Sequence, residues 1–134
     1  MIIDSTVGQL TIRPLCAVFC EDVKASGRAN PYVEIGIGNQ RLSCCVATQQ
    51  GINPAWVDRI DYNLNKESEV EVFAYDDEFR RKEDFIGTCK IKLADPLKNR
   101  DHIQLYDIFR QGYKTGKLKI AFQFVPKASP VVSI

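Results

Sequence analysis

The sequence is poor in the side chains that do chemistry: it contains one histidine, His102, one tryptophan and one methionine in 134 residues. A single histidine in the polar stretch Asn99-Arg100-Asp101-His102 supports no Ser–His or Cys–His pair. It also argues against zinc, which draws on several Cys and His ligands at close spacing. No Cys-x-x-Cys occurs among the five cysteines Cys16, Cys20, Cys44, Cys45 and Cys89. Their odd number argues against a disulfide framework, so free thiols in a reducing compartment are expected. No glycine-rich phosphate loop is present. Enzyme activity is therefore not expected.

Charge of one sign is lacking too. The 18 Lys+Arg and 17 Asp+Glu leave a formal net charge of +1, which gives no global attraction for nucleic acid. No apolar run approaches the roughly 20 residues that cross a bilayer. The start, Met1-Ile2-Ile3-Asp4-Ser5, has no basic segment followed by an apolar core. A cytoplasmic location, peripheral at most to a membrane, is the expectation.

What is present is alternation. Leu10 and Ile12 lie on one side of a run over 8–16, interrupted by Pro14, which marks an edge strand or a bulge. Val33, Ile35 and Ile37 share a face, and Gly38-Asn39 then offers a tight turn into a partner strand over 40–48. Further runs fall at 56–64, at 70–75 with Val70, Val72 and Ala74 on one face, and at 85–93 with a bulge at Gly87. A short run at 102–105 follows. The strongest pattern is Leu118, Ile120, Phe122 and Phe124 against Lys117, Lys119, Ala121 and Gln123. Leu105, Ile108 and Phe109 have helical spacing, which predicts a single turn there. Trp56 should pack inward, and Arg41 should be a solvated strand residue. Together the runs predict an all-β, eight-stranded antiparallel β-sandwich as one domain over 1–125, with 126–134 a loose tail or linker. The chain is short enough to be part of a larger protein.

Three segments, in order, carry more: Gly27-Arg28-Ala29-Asn30-Pro31-Tyr32-Val33, Asn53-Pro54-Ala55-Trp56, and the acidic run from Asp76 to Gly87. They resemble the C2-domain motifs G-x-S-D-P-Y-V, N-P-x-W, and D-x-D followed by a further D-x-hydrophobic-G. The resemblance spans about residues 8–125 and implies a sandwich with loops at one end that bind Ca²⁺ and then membrane lipid. Because the chain begins with the strand that leads into the first loop, it also implies the permuted, type II (phospholipase-like) strand order.

Carried over residue by residue, the family's acidic positions fall on Lys24, Asn30, Asp76, Glu78 and Asp84. Ca²⁺ wants several hard oxygen ligands, mostly carboxylates. Lys24 puts a cation where a carboxylate belongs, unless Asp22 takes its place along a different loop path, and Asn30 contributes no charge. The resemblance thus implies at most one weakly held Ca²⁺, on Asn30, Asp76, Glu78 and Asp84, and no required cofactor. Phe79-Arg80-Arg81-Lys82 falls at the expected tip of the third loop. With Lys24 and Arg28 of the first loop, it is the candidate contact for phospholipid or a protein partner; a solvated charged loop is the alternative. The functional expectation is a targeting or adaptor module without an essential Ca²⁺ switch. Its alternatives are a protein scaffold with no lipid affinity and a Ca²⁺-dependent lipid-binding domain.

Overall fold

A computed structural model describes residues 2–20, 29–44, 47, 50–77 and 85–129. Eight strands and one short helix follow each other in the order β1 (Ile2–Phe19), β2 (Pro31–Ile37), β3 (Gln40–Ser43), β4 (Ile60–Asn65), β5 (Glu69–Asp76), β6 (Phe85–Lys92), α1 (Ala94–Asn99), β7 (Asp101–Arg110) and β8 (Tyr113–Ser129). All neighbours are antiparallel, in the order β3-β2-β5-β6-β7-β8-β1-β4. Between β6 and β7 the ladder narrows to the single pair Thr88–Phe109. There the strands divide into two four-stranded layers that close over one core.

That core is the set of alternating residues. Val33, Ile35, Ile37, Val70, Val72, Leu118, Ile120, Phe122 and Trp56 are all buried, as expected from their period. Leu10 and Ile12 of β1 and Ile108 of β7 are fully enclosed with them. Gly38 has φ 57° in the two-residue turn joining Ile37 to Gln40, the positive-φ first position of a II′ hairpin.

Pro14 is buried inside a continuous β1, flanked by β8 and β4, so the choice between edge and bulge resolves to a bulge. The register with β8 shifts between Pro14 and Cys16, and pairing with β4 stops at Ile12. Past the bulge, Ala55 bridges Cys16 and the Trp56 N–H donates to the Leu15 carbonyl at 2.9 Å. The irregularity expected at Gly87 falls beside it: Ala74 pairs Gly87 and Tyr75 pairs Phe85, leaving Ile86 as the extra residue.

Several expected boundaries are corrected. The run over 105–110 is strand, not a helical turn. Leu105 and Phe109 face solvent at 57% and 42% exposure while Ile108 is enclosed, so the helical spacing does not mark one buried face. The helix is instead α1, with Asp95 in its first turn and Lys98 in its last, which suits the helix dipole. Within the run 40–48, β3 ends at Ser43; beyond it the Cys44 and Ala47 N–H groups still donate to the Val33 and Pro31 carbonyls of β2, at 3.0 and 2.8 Å, and 45, 46 and 48 lie outside the described residues. The strand expected from Trp56 starts at Ile60. At the C-terminus β8 continues to Ser129, pairing Pro126 with Gly8 and Ser129 with Ile2. The sheet thus runs past the boundary set at 125, and 130–134 lie outside the described residues.

Candidate functional site

Antiparallel pairing brings the C-terminal ends of β1, β3, β5 and β7 and the N-terminal ends of β2, β4, β6 and β8 to one end of the sandwich. The connections bearing the three motifs leave from that end. Their base is tightly tied. The Trp56 indole N–H donates to the Pro31 carbonyl at 3.2 Å. The Ala47 N–H donates to the same carbonyl at 2.8 Å, and the Gly51 N–H donates to the Ala29 carbonyl at 3.0 Å. Tyr32 stacks on Tyr75 with centroids 5.5 Å apart, and Tyr75 meets Phe85 at 5.4 Å. The proline of the first motif and the tryptophan of the second thus tie the first and second connections together.

Asn30 and Asp76 meet here, as the resemblance implies. Asp76 is paired with Pro31 at the end of β5, and its Oδ1 accepts the Asn30 N–H at 2.9 Å. The Asp77 N–H donates back to the Asn30 carbonyl at 2.9 Å. Asp76 is 2% exposed, and it is the only charged or polar residue buried to that degree among the described residues. Enclosing a carboxylate is unfavourable unless donors or a cation compensate it, so the Asn30 N–H is one reason it can sit there.

The described residues do not by themselves make a Ca²⁺ cage: among them no group of three or more His, Cys, Asp or Glu converges. Glu78 and Asp84, and with them Lys24, Arg28, Phe79, Arg80, Arg81 and Lys82, lie outside the described residues.

Arg41 is exposed on β3, its side chain 49% accessible, as expected of a solvated strand residue, and it also makes specific contacts. Its guanidinium lies 3.7 Å over the Phe73 ring, pairs with Glu34 at 3.0 Å and donates to the Tyr75 hydroxyl at 3.2 Å. His102 sits between the Asn99 amide at 3.0 Å and the Gln104 amide at 2.8 Å. Cys16 and Cys20 are exposed free thiols, Cys44 is buried and Cys89 half-buried. Burial pushes the Cys89 thiol up to about 12, reinforced by Glu71 and Asp107.

The residue pattern overlooked one part of this end, the β7–β8 hairpin with Phe109, Arg110, Tyr113 and Lys114. The available signal was Gln111-Gly112 between two alternating runs; the competing helical spacing of 105–109 masked it.

A family model for the C2 domain matches residues 8–108. The chain belongs to the C2-domain family. It is 28% identical over 86 residues to human "Multiple C2 and transmembrane domain-containing protein 1", a match spanning 60% of this chain and 8% of that protein. It is 32% identical over 77 residues to mouse "Extended synaptotagmin-3", spanning 55% of this chain and 8% of that protein. The chain therefore corresponds to a small part of these relatives' length. A solved C2 domain-containing protein superposes with TM-score 0.81 at 19% identity, covering 97% of this chain and 96% of the other. Among the described residues no helix is long and apolar enough to cross a membrane.

Proposed function

We propose that this C2 domain is a non-enzymatic targeting or adaptor module. It docks on a phospholipid membrane or a protein partner, and no bound Ca²⁺ is required for docking. Asp76 carries this reading. The carboxylate at a family Ca²⁺ position holds the backbone of Asn30, tying the first connection to the third. Such a clasp does directly what a bridging ion would do, fixing the two connections relative to each other.

The sequence supports the same conclusion, with Lys24 and Asn30 at family acidic positions. Any Ca²⁺ would be held weakly and singly, by Asn30, Asp76, Glu78 and Asp84. The cations Lys24, Arg28, Arg80, Arg81 and Lys82, with Phe79 among them, supply the contact; each cation near an anionic surface contributes about 1 kcal/mol. A cytoplasmic, peripheral location belongs to this reading. So does the type II strand order, since β1 leads into the first connection and the closing strand β8 pairs along β1.

Co-sedimentation with phosphatidylserine-containing vesicles, in Ca²⁺ and in chelator, tests it. Equal binding in both conditions is expected. Binding confined to Ca²⁺ overturns the proposal in favour of a Ca²⁺-dependent lipid-binding domain, and binding in neither leaves a protein scaffold.

A further inference from the structure

The β7–β8 hairpin stands at the same end as the three motif-bearing connections. Its loop residues Gln111 and Gly112 have φ 51° and 82°, and Arg110 pairs Tyr113 across them. Two positive φ values in a two-residue loop make a tight I′ turn that matches strand twist. The hairpin is also pinned from both sides. The Arg110 guanidinium donates to the Phe85 carbonyl at 3.0 Å, where the third connection returns. The Cys20 N–H donates to the Thr115 carbonyl at 2.8 Å, where the first connection departs. Gly87 is packed so closely that a Cβ there would lie 2.4 Å from Thr115 Oγ1. The tip is thus a fixed platform.

What the platform presents is unusual for a solvated turn. Tyr113 is 77% exposed and Phe109 42% exposed, and the cations Arg110 and Lys114 directly follow them in the chain. Neither ring is needed by the core. Beside them lies a recess of about 380 Å³ whose lining includes Cys20, Ile86, Arg110, Tyr113, Lys114 and Thr115. Lys114 meets Asp107 at 3.2 Å, but both side chains are over 40% exposed. Such a pair is weak and exchanges readily for another anion. Arg110 uses one of its five N–H donors on Phe85, and the others remain for a ligand.

We propose that this hairpin is a second, Ca²⁺-independent membrane contact, specific for anionic phospholipid. Tyr113 and Phe109 seat in the interface, Arg110 and Lys114 meet headgroup phosphates, and the recess receives one headgroup. Aromatic rings with a polar or cationic neighbour are the composition favoured at the water–lipid boundary. The sequence Phe79-Arg80-Arg81-Lys82, in the connection that returns at Phe85, has the same composition. This inference rests on the membrane arm of the proposed function.

The test uses the whole chain in chelator with vesicles of phosphatidylcholine alone or mixed with phosphatidylserine. The double variant Tyr113→Ser with Lys114→Gln should bind mixed vesicles about tenfold more weakly, of which roughly fivefold comes from the lost cation. Its thermal midpoint should match the parent, since both positions are exposed. Separately, Tyr113→Trp should show blue-shifted emission on mixed vesicles and none on phosphatidylcholine alone, with buried Trp56 as a constant background. Parent binding together with undiminished binding of the double variant overturns the hairpin contact and leaves the proposed function standing. No binding by the parent overturns the membrane arm of the proposed function and this contact with it.

Discussion

The side chain of Asp76 reaches the backbone N–H of Asn30 at 2.9 Å, across 46 residues of chain. The Asn30 carbonyl in turn accepts from Asp77 at 2.9 Å. This reciprocal clasp joins the start of β2 to the end of β5. Replacing Asp76 by Ala should cost about 1–3 kcal/mol, because the Asn30 N–H is left without that acceptor. Asp76→Asn, which keeps an acceptor oxygen, should cost less. Urea unfolding of the two variants provides the comparison, and equal costs would show that charge rather than the hydrogen bond matters.

Restoring carboxylates should restore affinity for the ion. Two unit charges about 4 Å apart interact by roughly 4 kcal/mol at an effective dielectric of 20. Exchanging the Lys24 cation for a carboxylate therefore moves Ca²⁺ affinity by orders of magnitude. In calorimetric titration the parent should bind no tighter than about 10⁻⁴–10⁻³ M, and Lys24→Asp with Asn30→Asp markedly tighter. Two ions bound by the parent at micromolar concentration would refute this.

Trp56 anchors the site from below, through its burial and its indole bond to the Pro31 carbonyl. Trp56→Ala should destabilise the fold by about 3–5 kcal/mol, as for other large aromatic deletions. A loss under about 1 kcal/mol, against that range, would mean the ring does not support the core.

Thiol reactivity should divide by environment. Cys16 and Cys20 are exposed, whereas burial pushes the Cys89 thiol up to about 12. The thiolate is the reactive form, so at mildly alkaline pH an alkylating reagent should modify Cys16 and Cys20 before Cys89. Peptide mass spectrometry over time reads the order; early labelling of Cys89 would contradict its burial.

Acid should weaken the β4–β5 turn. Burial raises the Glu67 carboxyl, but the Tyr62 hydroxyl and the Asn65 N–H bond to its carboxylate and hold it below the ordinary value of 4.5. A depressed folded pKa stabilises above the unfolded value, and that stability is lost as pH falls through the folded one. Glu67→Gln should therefore lower the thermal midpoint at neutral pH and converge with the parent in acid. A gap that stays constant with pH would exclude this linkage.

The strands themselves were legible because burial on one face of a sheet imposes a period of two. Val33, Ile35 and Ile37 on β2 and Leu118, Ile120 and Phe122 on β8 follow it, although Tyr32 and Ala121 on the opposite faces are buried as well. The three motifs likewise fall toward one end of the sandwich, where Asn30 and Asp76 meet. Where strands leave the two-sided environment, the pattern loses its meaning. Leu105 and Phe109 are apolar yet exposed, so their spacing with Ile108 imitates a helix.

The composition determined that this is a β-rich module with few groups for catalysis, because it depends only on which side chains exist and how they alternate. The tertiary structure decided which distant groups meet. Asp76 and Asn30 become partners, Arg41 lies over Phe73, and the β7–β8 hairpin is pinned to Cys20 and Phe85. Such contacts join residues far apart in the chain, and their geometry is set by strand register and the Pro14 bulge rather than by local preference.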